Sequence, residues 1–94
     1  MPTLKWLPEA LADLERLHRF LADTSPRAAR RAAGAILAGA DQLQEHPEVG
    51  RPMEDGRREW VVRFGIGAYV LRYRVDPDGC PVVIRVWHSR EHRG

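Results

Sequence analysis

The chain has 94 residues, of which 44% are hydrophobic and 30% are charged, a composition typical of a globular domain. A chain of this length buries only about 60–65% of its unfolded surface, so a large multidomain enzyme is excluded and we expect residues 1–94 to form a single domain. The net charge of +2 is too small to indicate nucleic-acid binding. However, residues 1–56 carry a balance of −2 and residues 57–94 a balance of +4. This asymmetry is compatible with an acidic or nucleic-acid partner for the second part, but charge alone is more often explained by a solvated surface.

The first half of the chain has the pattern of one short strand followed by two helices. Residues 4–7 form an apolar run, and leucines then recur at helical spacing as far as Leu21. Proline is well tolerated at the first position of a helix, so we expect the first helix to begin at Pro8. Ser25 is a good N-cap for a second helix, which we expect to end near residues 46–47. Small and apolar side chains share one side of it: Ala29, Ala32, Ala33, Ile36, Leu37, Ala40 and Leu43.

In the second half, a loop over residues 47–56 is followed by three segments in which apolar and polar side chains alternate. These segments cover residues 59–64, 69–75 and 82–87, and a period of two predicts strands. The connections between them are short and contain glycine or proline, which requires antiparallel hairpins.

The order β-α-α-β-β-β predicts an α+β fold in which a helix hairpin covers one face of a small antiparallel sheet. Alternation assigns two sets of side chains to the two faces of this sheet. The face under the helices is expected to hold Tyr69, Leu71, Tyr73, Val82, Ile84 and Val86. The bare face is expected to hold Arg63, Arg72, Arg74 and Arg85, with Trp87 beside them.

The four arginines of the bare face are the clearest chemical indication of function. Arginine stays charged and binds carboxylate or phosphate through two parallel hydrogen bonds, and like charges on neighbouring strands repel each other. An acidic protein segment or an RNA strand would therefore fit this face. The alternative is that the arginines pair with Glu54, Glu59 or solvent, in which case they need no partner.

Trp87, His88 and Arg90, near the end of the last strand, are candidates for contact with a partner. His88 could act as a general acid or base, with Arg90 or Arg72 stabilising the charge on a phosphate during cleavage. A histidine at a strand end is more often a surface residue, and a tryptophan in so small a protein more often lies in or beside the core.

The remaining features exclude other classes of protein. No segment has the roughly 20 apolar residues of a membrane-spanning helix, and residues 1–6 lack the apolar stretch of a secretory signal. Cys80 is the only cysteine, and no Cys and His residues have the spacing of zinc ligands. We therefore expect a cytoplasmic protein without metal, cofactor or membrane partner.

Several segments, in the right order, resemble the RelE/ParE toxin superfamily across nearly the whole chain. Residues 6–17 have the pattern W-x-P-E-A-x-x-D-L-x-x-L, and residues 26–29 read P-R-A-A. They are followed by H-P-E-V-G-R from His46, R-E-W-V-V from Arg58, Y-V-L-R-Y-R-V from Tyr69 and I-R-V-W-H-S-R from Ile84.

The resemblance implies the toxin of a type II toxin–antitoxin pair, neutralised by a cognate antitoxin. RelE-like members cleave mRNA on the ribosome, whereas ParE-like members inhibit DNA gyrase. The position at which RelE-like nucleases carry an arginine early in the strand holds Val70 here, and their C-terminal cluster is reduced to His88, Arg90 and His92.

These departures favour a ParE-like inhibitor of gyrase that acts by binding and not as an enzyme. The alternative is a ribosome-dependent mRNA endoribonuclease that uses Arg72, His88 and Arg90. In either case we expect acidic residues of the antitoxin to pair with the four arginines of the bare face.

Overall fold

A computed structural model describes residues 3–91, which form two helices and five strands. In chain order these are β1 (Lys5–Trp6), α1 (Pro8–Ala22), α2 (Pro26–Glu45), β2 (Arg51–Pro52), β3 (Arg58–Phe64), β4 (Gly67–Val75) and β5 (Pro81–His88). The two helices pack against each other, and they cover one face of the sheet, where α1 contacts β5 and α2 contacts β3. The α+β class and the helix hairpin on a sheet are confirmed.

The five strands form one sheet in the order β1-β5-β4-β3-β2. The long strands β3, β4 and β5 are antiparallel neighbours, as their short connections require. β1 pairs in parallel with β5, so the sheet is mixed. β2 pairs with the start of β3 inside the segment predicted as a loop, because two residues are too few to show alternation in a sequence.

Local sequence explains how α2 begins. The hydroxyl of Ser25 accepts the N–H of Ala28 at 3.1 Å, which confirms Ser25 as the N-cap of α2. The core between the helices and the sheet contains Ala10, Leu17, Ala32, Ile36, Ala40, Tyr69, Leu71, Val83 and Val86.

Neither α1 nor α2, the two helices of residues 3–91, has the length and apolar character that a membrane-spanning helix needs.

A β-bulge in β5 changes which side chains face the helices. The register of β5 against β4 shifts at Ile84, which has no partner residue on β4. Val83 therefore lies under the helices with Val86, whereas Val82 lies on the bare face. The expectation that Val82 faces the helices is wrong, because the extra residue Ile84 breaks the alternation of β5.

Tyr73 fixes the connection between α2 and β3. Its hydroxyl donates to the carbonyl oxygen of Pro47 at 2.7 Å and accepts the N–H of Gly50 at 2.8 Å. Arg58 adds hydrogen bonds to the carbonyl oxygens of Glu48 at 3.0 Å and Gly50 at 2.8 Å. A Cβ at residue 50 would lie 2.6 Å from the Tyr73 ring, so only glycine fits there. The segment H-P-E-V-G-R thus has a structural role.

Candidate functional site

The bare face of the sheet, opposite the helices, holds the arginines that alternation assigns to it. Arg72 lies directly opposite Arg85 in the pairing of β4 with β5, and Arg74 follows two residues along β4. Arg63 of β3 lies opposite Ala68. The strand register therefore places the Cβ atoms of all four arginines on the same face of the sheet.

Three of these arginines bind carboxylates of the chain itself. Arg72 donates to Glu59 through Nε at 3.1 Å and Nη2 at 2.8 Å. Arg74 donates to Asp76 through Nε at 3.1 Å. Arg85 reaches past the edge of the sheet and makes two hydrogen bonds to an aspartate of α1. The mutual repulsion of these cations is thus relieved without a partner.

Glu59 is the central anion of the bare face, because Arg51 also binds it, at 3.0 Å. Burial raises the pKa of Glu59, but the hydrogen bonds from Arg72 and Arg51 outweigh burial and lower this pKa below its usual value. The pairing with Glu59 that the sequence left as an alternative is therefore found for Arg72, whereas Glu54 makes no ion pair within residues 3–91.

Trp87 lies on the bare face, where its side chain is largely buried. Its side chain is only 8% exposed, and the guanidinium of Arg72 lies 4.8 Å from the centre of a Trp87 ring. Arg72 covers Trp87 in the free chain, so contact between Trp87 and a partner, which stays a prediction, requires the Arg72 side chain to move. Arg63 is exposed and makes no ion pair within residues 3–91, so it remains the free cation of the four bare-face arginines.

Asp13 of α1 is the acidic residue that sequence analysis missed. It is only 4% exposed, and it accepts hydrogen bonds from the Arg85 side chain at 2.8 and 3.0 Å and from the N–H of Val86 at 2.8 Å. Burial raises the pKa of Asp13, but these hydrogen bonds outweigh burial and lower it. Because β1 ends at Trp6, Asp13 caps the part of the β5 edge that β1 leaves open.

A groove of about 660 Å³ lies on the helix side, between the second half of α1, the β3–β4 turn and the end of β5. Large apolar side chains form most of its surface: Leu17, Phe20, Leu21, Phe64, Ile66 and Tyr69. Phe20 is 75% exposed and Ile66 is 89% exposed. Neither residue has a role predicted from the sequence, although Phe20 lies off the apolar stripe of α1 and Ile66 lies between two turn glycines.

His88 and Arg90 both line this groove, whereas Arg72 does not. His88 pairs with Tyr69, whose side chain faces the helices, and the two rings meet edge to face at 5.3 Å. A Cβ at residue 67 would lie 2.6 Å from Nε2 of His88, so Gly67 makes room for the imidazole. The predicted set of Arg72, His88 and Arg90 is therefore divided between opposite faces of the sheet. His92 lies outside the described residues.

The charged side chains around the groove leave it with a positive rim. Arg16 and Glu91 form an ion pair with each other at 2.5 Å. The guanidinium of Arg31 lies 5.9 Å from the centre of the Phe64 ring. Neither Arg31 nor Arg90 forms an ion pair within residues 3–91. In the same part of the chain no three side chains of His, Cys, Asp or Glu converge to hold a metal ion.

Comparison with known proteins finds relatives that match nearly the whole chain. The family model described as ParE toxin of type II toxin-antitoxin system, parDE, matches residues 4–93. Toxin RelE3 of Caulobacter vibrioides is 43% identical over 93 residues, which cover 99% of this chain and 100% of the relative. Toxin RelE1 of the same organism is 39% identical over 84 residues, which cover 89% of each chain. The structure titled chromosomal ParDE TA system from P. aeruginosa has a TM-score of 0.76 and 26% identity, over 92% of this chain and 94% of that chain.

Proposed function

This chain belongs to the ParE toxin family of type II toxin–antitoxin systems, and from that membership we propose that it inhibits DNA gyrase by binding, without catalysing a reaction. It does so in the cytoplasm, until a cognate antitoxin covers the surface that binds the target.

The separation of Arg72 from His88 is the observation that carries this proposal. Arg72 lies on the bare face, held by Glu59, whereas His88 and Arg90 line the groove on the other side of the sheet. Cleavage of a phosphodiester needs the acid–base group and the stabilising cation within reach of the same phosphate. His88 and Arg72 lie on opposite faces and do not meet that requirement together, so the predicted set of three residues does not form one catalytic site, and binding fits this arrangement better than catalysis by that set.

Supercoiling of a relaxed plasmid by purified gyrase tests the proposal. The toxin, added in excess over gyrase, is expected to stop supercoiling or to trap cleaved DNA. Relaxation of the same plasmid by a type I topoisomerase is the control, and it should be unaffected. Normal supercoiling by gyrase in the presence of excess folded toxin would count against gyrase as the target.

The groove, and not the bare face, is where we expect the antitoxin to dock. Phe20 and Ile66 form an exposed apolar patch of the kind that marks protein-binding sites, and Arg31 and Arg90 are cations with no ion pair within residues 3–91. An amphipathic helix with acidic residues along its edges fits an apolar floor with a positive rim. Such a helix, disordered when alone, would fold on binding.

The bare face is a weaker candidate for the antitoxin because its cations are already satisfied. To pair with an antitoxin carboxylate, Arg72 would have to leave Glu59, and Arg85 would have to leave the buried Asp13. The exchange of one carboxylate for another adds little binding free energy. Arg63 is the exception, and its contribution is expected to be small because exposed ion pairs contribute only about 0–1 kcal/mol.

Calorimetric titration with the cognate antitoxin tests the docking site. Phe20→Asp is expected to weaken binding at least about 30-fold, the effect of removing a residue that contributes about 2 kcal/mol or more to binding. Val49→Asp also changes an exposed apolar side chain, but outside the groove, and it should bind like the wild type. Arg63→Glu tests the bare face. Weaker binding by Arg63→Glu but not by Phe20→Asp would place the antitoxin on the bare face.

Ribosome-dependent cleavage of mRNA is the second candidate function. The specific observation in its favour is that His88 and Arg90 line one groove together with Tyr69 and Arg16, while relatives in Caulobacter vibrioides carry the name RelE. Toeprinting of translated mRNA in the presence of the toxin tests it. Cuts made by the wild type and lost in the double variant His88→Ala, Arg90→Ala would favour this function. No cuts by the wild type would exclude it.

A further inference from the structure

One wall of the groove is a tight turn over residues 88–91, here called the His88 turn, in which His88 makes three hydrogen bonds. Its backbone N–H donates to Oε1 of Glu91 at 2.8 Å, and its carbonyl oxygen accepts the N–H of Glu91 at 2.9 Å. Its ring atom Nδ1 accepts the N–H of Arg90 at 3.1 Å. The turn therefore uses the imidazole ring as a hydrogen-bond acceptor.

An imidazole nitrogen accepts a hydrogen bond only when it carries no proton. The contact with Arg90 therefore requires neutral His88, with its proton on Nε2. A protonated ring would place two N–H groups against each other at Nδ1, and Arg90 would lose its acceptor. Histidine is the side chain whose charge changes in the physiological pH range.

Charged and titratable groups from α1, β4 and the turn itself face the His88 ring. Arg16 of α1 and Arg90 line the groove with His88, and Tyr69 of β4 packs its ring against the imidazole. Glu91 is the carboxylate on this side, and it is already bound by Arg16 and by the N–H of His88. Its charge is thus largely compensated, whereas the guanidinium of Arg90 has no ion pair within residues 3–91.

We propose that the His88 turn is a proton-sensitive wall of the groove, which opens when His88 takes up a proton and thereby weakens the binding of a helical partner. Opening frees the Arg90 amide and removes the backbone support that holds Glu91 beside Arg16. The effect on the partner rests on the proposed docking site, whereas the opening of the turn is a property of the free chain. Charge alone would act in the opposite direction, because an additional cation attracts an acidic helix.

NMR titration of the free chain from pH 8 to pH 5 tests the opening of the turn. The Arg90 amide signal should move with the same midpoint as the His88 ring signal. Its hydrogen-exchange protection factor should fall about fivefold, the factor that corresponds to one net hydrogen bond. In His88→Asn, the side-chain Oδ1 replaces Nδ1 as an acceptor that does not titrate, so both quantities should stay constant. His18→Asn, at an exposed histidine, should behave like the wild type.

The proposal is overturned if the Arg90 amide signal of the wild type does not move as His88 titrates. This result does not depend on whether His88→Asn folds. The proposal is also overturned if the Arg90 amide signal of folded His88→Asn moves with pH as it does in the wild type, because a group other than His88 would then cause the change.

Calorimetric titration of the cognate antitoxin at pH 7.5 and pH 5.5 tests the effect on the partner. The wild type should bind about fivefold more weakly at the lower pH, and the affinity of His88→Asn should change less than twofold. Equal or tighter binding by the wild type at pH 5.5 would show that the turn does not regulate the partner. If Phe20→Asp does not weaken binding, the docking site fails, and the NMR result on the turn stands independently.

Discussion

Replacement of Asp13 by alanine is expected to destabilise the fold strongly, although Asp13 is an acidic residue of a surface helix. The substitution removes the acceptor of two hydrogen bonds from Arg85 and of one from the N–H of Val86. It therefore opens the unprotected part of the β5 edge and leaves the Arg85 guanidinium without its carboxylate.

The magnitude follows from the burial of the groups involved. Removal of one partner from a buried ion pair costs about 3–5 kcal/mol. The Arg85 side chain is 37% exposed and regains some water, which places this pair at the low end of the range. The N–H of Val86, in a buried residue, costs about 1–3 kcal/mol if it stays unsatisfied. These contributions overlap, and we expect a total loss of about 3–4 kcal/mol.

Urea denaturation followed by circular dichroism measures this loss. Glu15→Ala is the matched control, because Glu15 lies on the same helix in an exposed pair with Arg19, and such a pair contributes about 0.3–0.5 kcal/mol. A loss of 3 kcal/mol in a domain of this size lowers Tm by at least about 12 °C. If Asp13→Ala costs less than about 1 kcal/mol, the assignment of Asp13 as the cap of the β5 edge is refuted.

The lowered pKa of Asp13 adds a pH dependence whose sign is fixed. A carboxylate with a lower pKa in the folded state stabilises the fold above its ordinary pKa of 3.8, and this stabilisation is lost as the pH falls through the folded-state pKa. The difference in unfolding free energy between the wild type and Asp13→Asn should therefore be constant near neutral pH and decrease below about pH 4. A constant difference down to pH 2 would contradict the lowered pKa.

Three further predictions concern single residues of the fold and the groove. Tyr73→Phe removes both hydrogen bonds that hold the connection between α2 and β3, so urea denaturation should show a loss of about 1–3 kcal/mol. Gly67→Ala places a Cβ 2.6 Å from Nε2 of His88, so NMR should show a displaced imidazole and an unprotected amide in the His88 turn. Gly34→Ala meets no atom within 4 Å on an exposed helix face, and it should stabilise the protein by about 0.5–1 kcal/mol.

Alternation and turn chemistry sufficed to predict the long strands and their hairpins. Short connections force antiparallel neighbours, and a period of two then assigns Leu71 and Tyr73 to the core face. Alternation failed at Ile84, because nothing in the residue types marks the bulge. The parallel pairing of β1 with β5 was also not predictable, since the two strands are separated by most of the chain.

The composition of the bare face was predictable, but its interactions were not. The carboxylate that binds Arg85 lies 72 residues earlier in the chain, and no local pattern connects the two. A weaker signal was present, because Asp13 follows the buried Ala10 by three residues and precedes the buried Leu17 by four. An acidic residue in the middle of an apolar stripe indicates a buried partner for its charge.

The groove could not be predicted because three distant parts of the chain form it. Phe20 belongs to α1, Ile66 to the β3–β4 turn and His88 to the end of β5. Each of these residues has an ordinary local explanation, and only the packing of the helix hairpin on the sheet brings them to one surface. Only the folded structure shows that two large exposed apolar side chains, Phe20 and Ile66, line the same groove.

The stoichiometry and reversibility of gyrase inhibition test the central claim, binding without catalysis, most directly. Toxin is titrated into a supercoiling reaction of fixed gyrase concentration, and the cognate antitoxin is then added in excess. The account predicts inhibition that saturates near one toxin per binding site on gyrase, with activity restored when the antitoxin is added. Lasting loss of activity at far fewer toxin molecules than gyrase, unaffected by the antitoxin, would contradict it.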